Sequence, residues 1–77
     1  MPRHFFHIRN PGNGLVPDDE GAEFEDFQAA QHEAVASVRD LAAEAIRCGY
    51  KVNGLGVEIV DETGKRLETI STRGLFN

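Results

Sequence analysis

Gly56-Val57-Glu58-Ile59-Val60-Asp61-Glu62-Thr63-Gly64-Lys65-Arg66-Leu67-Glu68-Thr69-Ile70-Ser71 reads as two strands joined by a tight turn. Successive side chains of a strand leave opposite faces, so Val57 and Ile59 point one way and Glu58 and Val60 the other. Asp61 opening the reversal and Gly64 three residues later fit a type I turn closed by a glycine bulge. A lone hairpin cannot bury its apolar face in water, so the rest of the chain must supply a cover. The segment from Phe27 to Cys48 contains no Gly or Pro. At 100° per residue its Phe27, Ala30, Ala34, Val35, Val38, Leu41, Ala42, Ala45 and Ile46 fall in one stripe, with Glu33, Arg39, Asp40, Ala43, Glu44 and Arg47 outside it. Asp26 suits the N-cap, Gly49 the C′ position, and Arg47 lies near the negative end of the dipole. A long amphipathic helix is predicted.

Upstream, Arg3-His4-Phe5-Phe6-His7-Ile8-Arg9 is aromatic and β-branched and ends at Asn10-Pro11-Gly12-Asn13-Gly14, a reversal. Gly14-Leu15-Val16-Pro17 is a short second strand, and Pro17, which lacks an N–H, confines it to an edge. The order strand, strand, helix, strand, strand predicts one α+β domain over residues 1–77, ββαββ, with a four-stranded sheet and one long helix packed on one face. The expected strand order is β-grasp-like, with the first and fourth strands central and parallel; an all-antiparallel sheet is the alternative. Phe6, Ile8, Phe27, Val38, Leu41, Val57 and Ile59 are expected to be the most buried residues. The opposite face would carry Phe5, His7, Val60 and Leu67, more apolar than a solvated face. A symmetric homodimer contact is therefore expected on that face or along an adjoining edge, the competing explanation being that Leu75 and Phe76 fold back over Phe5.

The full chain has 77 residues, 40% apolar and 27% charged. A domain this small hides only about 60% of its unfolded surface, and association would help it. Thirteen acidic against eight basic residues give a net charge of −5. That balance argues against generic binding of nucleic acid. A single cysteine can form no internal disulfide and suits a reducing cytoplasm. No apolar run approaches the roughly 18 residues of a membrane span, and the first residues lack the apolar core of a signal peptide, so no membrane association is expected.

Met1-Pro2-Arg3-His4-Phe5-Phe6-His7-Ile8-Arg9, the acidic turn Asp18-Asp19-Glu20-Gly21, the alanine-rich helix and the Val57-to-Gly64 hairpin together resemble a family of small bacterial proteins known only as a domain of unknown function. The resemblance spans nearly the whole chain and is most specific from Arg3 to His7. His4 stands where the family usually has an aromatic such as Tyr, and the Pro11-to-Gly14 turn is added. The resemblance implies a fold and a length, but no activity, cofactor or partner. Separately, the acidic stretch leading into Phe27-Gln28-Ala29-Ala30-Gln31-His32-Glu33-Ala34 is similar in composition to the helix of HicB-type antitoxin domains, without carrying over any functional residue.

Residue by residue, little points to catalysis. His4 and His7 leave opposite faces of a strand and His32 lies on the polar side of the helix, so the three histidines do not form a metal site. Asp18 to Glu23 lacks the alternating ligands of a calcium loop and reads as a solvated start to the helix. Gly12-Asn13-Gly14 and Gly54-Leu55-Gly56 join no strand to a helix N-terminus and are turns rather than phosphate loops. Cys48 reads as a half-buried structural thiol, and neither Ser37 nor Ser71 has a nearby histidine. Lys65, Arg66 and Arg73 would gather with Arg3 and Arg9 only if the terminal strands were neighbours. Phe5, His7 and Arg9, sharing one face with Glu58, are the candidate binding residues for a small anion. The expectation is a non-catalytic, cofactor-free interaction module that forms homo-oligomers or binds a protein partner, with a small antitoxin-like regulator binding protein or RNA as the alternative.

Overall fold

A computed structural model describes residues 2–12 and 14–75. The elements are β1 (Arg3–Asn10), β2 (Gly14–Val16), β3 (Ala22–Glu23), α1 (Phe27–Arg47), β4 (Gly56–Val60), β5 (Arg66–Ser71) and a short α2 (Thr72–Leu75). The sheet runs β2-β1-β4-β5, β3 pairs with β1, and every pairing is antiparallel. The β-grasp-like order is therefore wrong. β1 lies beside β4, with Phe5 opposite Val60 and His7 opposite Glu58. The reason is burial. Every residue of β4 is buried, so it takes a central place, whereas β5 has no fully buried residue and exposes Arg66, Leu67 and Thr69, as an edge can.

The sheet has five strands rather than four because its edge is interrupted. Val16 pairs with Ile8 and Ala22 with His4, so five residues, 17–21, pass alongside only three of β1. This excursion holds the acidic run that was expected to open the helix. No acid lies in the first turn of α1, and the N-cap Asp26 alone accepts a hydrogen bond from the Ala29 N–H, at 2.8 Å.

The C-terminus of α1 is a Schellman motif: Tyr50 N–H donates to Ala45 O at 2.8 Å and Gly49 N–H to Ile46 O at 3.1 Å. The motif stops the helix and sets Tyr50 beside Ala45. In the hairpin, Gly64 has φ +89°, the left-handed conformation that a glycine bulge needs. Asp61 Oδ1 accepts hydrogen bonds from the Thr63 hydroxyl and from the Thr63 and Lys65 N–H groups, which hold its carboxyl below the usual range.

The core is Ala34, Val38, Val57 and Ile59, with Phe6, Leu41 and Ile70 packed around it. Ala30, Ala34 and Ala42 are fully buried, and their small side chains let the helix approach the sheet closely. α1 lies over β4 and β5, so β1 is reached only by longer side chains. Of the expected core, Val38, Val57 and Ile59 are buried, whereas Phe6, Ile8 and Leu41 are half-buried. Phe27 is 36% exposed, because as the first helical residue it overhangs the end of the sheet.

There it joins a small aromatic cluster. His4 packs against Phe24 at 5.9 Å and Phe27 at 6.3 Å, and Phe6 stacks on Phe24 at 5.6 Å. His4 is buried, and its Nδ1 has no hydrogen-bond partner among the described residues. An unsatisfied buried nitrogen costs about 1–3 kcal/mol, so His4→Phe, which keeps a ring and removes that nitrogen, should stabilise the fold by about 1 kcal/mol. A urea midpoint unchanged or lowered by the substitution would contradict this reading.

Candidate functional site

The sheet has two faces, and each bears on function. On the face away from α1, β1 presents Phe5, His7 and Arg9, the residues singled out from the sequence. Glu58 lies directly opposite His7 and is 7% exposed, with no helix above it. Its carboxylate accepts a hydrogen bond from Arg9, and the same oxygen, Oε2, lies 3.9 Å from Arg66 Nη1. Two guanidinium groups thus neutralise one buried carboxylate and leave one positive charge over. Arg9 and Arg66 meet through this residue of β4, not as neighbours, and Arg3 is drawn away to Glu23 at 3.6 Å and the Glu20 carbonyl at 2.7 Å. The five-residue basic cluster does not form, because β4 separates β1 from β5.

The excursion is anchored on this face by Asp18. Its Oδ2 accepts the Phe6 N–H at 3.1 Å, replacing the cross-strand carbonyl that the interrupted edge cannot supply. Its Oδ1 accepts the N–H groups of Glu20 and Gly21. The Asp18 N–H donates to His7 Nδ1 at 2.9 Å, which places the imidazole proton on Nε2. At Gly21, with φ +69°, a Cβ would come within 2.8 Å of both the Phe5 ring and the His4 carbonyl. The loop therefore lies directly on Phe5. Phe5 is half-buried and Val60 is 7% exposed within one chain, which removes most of the apolar surface on which the homodimer contact was expected. The expectation for Phe76 and for the Leu75 side chain lies outside the described residues.

Partial burial pushes the Asp18 carboxyl upward, but the N–H groups of Phe6, Gly21 and Glu20 outweigh it, and its pKa lies below the usual value. A carboxyl with a depressed folded pKa stabilises the fold above its unfolded value and loses that contribution as pH falls through the folded one. Asp18→Asn should therefore destabilise the domain at neutral pH, and the gap between variant and parent should close as pH falls through the acid range below the usual carboxylate value. Urea midpoints across that range check it. A gap that stays constant contradicts the anchoring role.

On the helix side, α1 leaves the β1–β2 half of the sheet uncovered. Two adjoining hollows share Leu41 as a wall. One, of about 290 Å³, is lined by Phe6, Ile8, Ser37, Asp40 and Val57. The other, of about 610 Å³, runs past Ala45, Leu55 and Pro11 to Tyr50. Val16, paired with Ile8 and so on the same face, is 47% exposed, and Tyr50 is 73% exposed. The trough is thus a strip of apolar floor that runs from Phe6, against Phe24, to an end where the Schellman motif and the β1–β2 turn meet. Sequence reading placed Phe6 and Ile8 beneath the helix and missed the trough. The available signal was width: one helix is about 10 Å across, and four strands at about 4.8 Å spacing are nearly twice that.

Other candidates resolve simply. Cys48 is exposed, not half-buried; its Sγ donates to Glu44, and that hydrogen bond, with slight desolvation and the Glu44 charge, raises the thiol pKa. His32 is exposed. Among the described residues no group of three His, Cys, Asp or Glu side chains is placed to hold a metal ion, and no helix is long and apolar enough to cross a membrane.

A family model for a domain of unknown function, DUF6894, matches residues 3–73. The chain belongs to this family. The match begins at β1 and ends in α2, so both faces of the sheet and the trough lie within the family domain. No curated protein and no solved structure matches the chain.

Proposed function

We propose that this DUF6894 domain is a non-catalytic interaction module whose docking surface is the trough beside α1. The observation that carries the reading is that α1 roofs one half of the sheet and leaves Phe6 and Ile8 on the other half, flanked by Leu41 of α1 and by Val16 of the neighbouring strand. An exposed strip rimmed by polar residues is the usual mark of a protein-binding surface. Catalysis finds less support: the one thiol is held protonated beside Glu44, and Nδ1 of His7 is occupied by a backbone N–H. A reducing cytoplasm, as suits a single cysteine, belongs to the same reading.

The test compares proteins retained from cells of the source organism by the parent and by Val16→Asp, which changes only an exposed rim residue, with Glu62→Gln in the exposed β4–β5 turn as control. A protein retained by the parent and the control but lost from Val16→Asp supports the module. Identical retention by all three overturns it.

Self-association is a second reading, favoured by the outer edge of β5, whose six residues pair with no further strand among the described residues. Sedimentation at high micromolar concentration should give twice the 8.5 kDa chain mass, with β5 amides gaining protection from hydrogen exchange as concentration rises. A mass of one chain throughout would end this reading. No residue geometry favours the antitoxin-like regulator over the general module.

A further inference from the structure

We propose that the trough receives an amphipathic helix of a partner protein, its apolar side on Phe6, Ile8 and Leu41 and its lysine or arginine residues along the flank that meets α1. The inference rests on the interaction-module reading and names the occupant. Four strands present about 19 Å of width and α1 covers about 10 Å of it, so the space left is one helix wide. Beyond the aromatic cluster that covers His4, residues 6–10 of β1 give a floor about 16 Å long, the length of about 11 helical residues.

The chain cannot fill this space with its own described elements. α2 is only four residues long and follows β5, at the far edge of the sheet. A second copy has no helix to lend, because the apolar stripe of its α1, Ala30, Ala34, Val38 and Ala42, is already buried against its own sheet. The outward side of α1 carries Arg39, Asp40, Glu44 and Arg47, all exposed.

Charge selects the partner. Asp40 lines one hollow; Glu44 lines the other together with Lys51 and is already paired with Arg47, so among the described residues the unpaired charge on the α1 rim is that of Asp40. On a helical wheel centred on Val38, Glu33, Asp40 and Glu44 all fall about 100–160° towards the trough, whereas Arg39 and Arg47 fall on the far flank or directly outward. Asp40 has no ion pair among the described residues. A helix lying beside α1 would therefore meet the Asp40 carboxylate, and a basic flank is the complementary one.

The probes are two peptides of about 11 residues with the same leucine spacing, one Leu/Lys and one Leu/Glu, neither containing an aromatic residue. Tyr50 is the only tyrosine and the chain has no tryptophan, so tyrosine fluorescence reports the trough directly. The Leu/Lys peptide should perturb Tyr50 and gain helicity on binding, with the Leu/Glu peptide at least about tenfold weaker. Asp40→Lys should weaken the Leu/Lys peptide several-fold, whereas Asp19→Lys, an identical change of net charge on the excursion, should leave it unaltered.

Equal weakening by the two reversals, equal binding of the two peptides, or a silent Tyr50 overturns the basic-helix occupant. So does a parent dimer dissociated by Val16→Asp, which assigns the trough to a second copy. If the peptides fail while Val16→Asp still loses a cellular partner, the module reading stands and the occupant is wrong.

Discussion

Ile59→Ala should cost about 4 kcal/mol, near the top of the range for deleting a buried aliphatic side chain. Ile59 is fully buried among Ala34, Val38 and Val57. Alanines on the facing helix have no atoms to swing into the vacated space, so the cavity persists and the cost stays high. A domain of this length has a total stability of roughly 4–12 kcal/mol, so the variant should be largely unfolded in moderate urea. Ile70→Ala removes the same groups from a half-buried site and should cost about half as much. An Ile59→Ala protein that melts within a few degrees of the parent would show that the core is not where it is described.

Gly56→Ala should cost about 3 kcal/mol, for a reason that has nothing to do with backbone conformation. A Cβ at Gly56 would sit 2.6 Å from the Ile70 carbonyl oxygen and 3.3 Å from Ser71 Cα. Those are backbone atoms of the paired strand and cannot rotate aside. The end of β5 must move away, and with it the adjoining Thr72 N–H to Leu55 O bond. Hydrogen exchange should therefore accelerate at Ser71 and Thr72 while Val38 stays protected. Gly64→Ala is the contrast: a Cβ there meets nothing within 4 Å, so only the positive φ opposes it and the cost should be nearer 1 kcal/mol. Equal costs at the two glycines would contradict the close approach of β4 and β5.

The local elements were legible because each rests on neighbours in sequence. Asp26, the alanine stripe and Gly49 mark the helix, Asp61 and Gly64 the second hairpin, and Pro17 the short edge strand. Strand order was not legible from spacing, although the apolar continuity of Val57, Ile59 and Val60 against the polar Arg66, Glu68 and Thr69 carried a signal for which strand is central. The excursion was hidden because Asp18 ties it to the Phe6 N–H, twelve residues away, and to the His7 ring, eleven away, which no local pattern records. At the candidate sites, the sequence placed Phe5, His7, Arg9 and Glu58 on one face correctly. It could not show that Glu20 and Glu23 draw Arg3 away, that residues 17–21 cover Phe5, or that α1 settles over β4 and β5 and uncovers Ile8.

The central claim is that α1 roofs half of the sheet and leaves the other half open to a partner. Methyl relaxation by a freely diffusing paramagnetic agent tests it most directly in the isolated protein. Methyls of Ile8, Leu41 and Val16 should be strongly relaxed and those of Val38, Val57 and Ile59 shielded, independently of protein concentration. Methyls of Ile8 and Val16 as well shielded as those of Ile59 would mean that the trough is already filled, and would contradict the account.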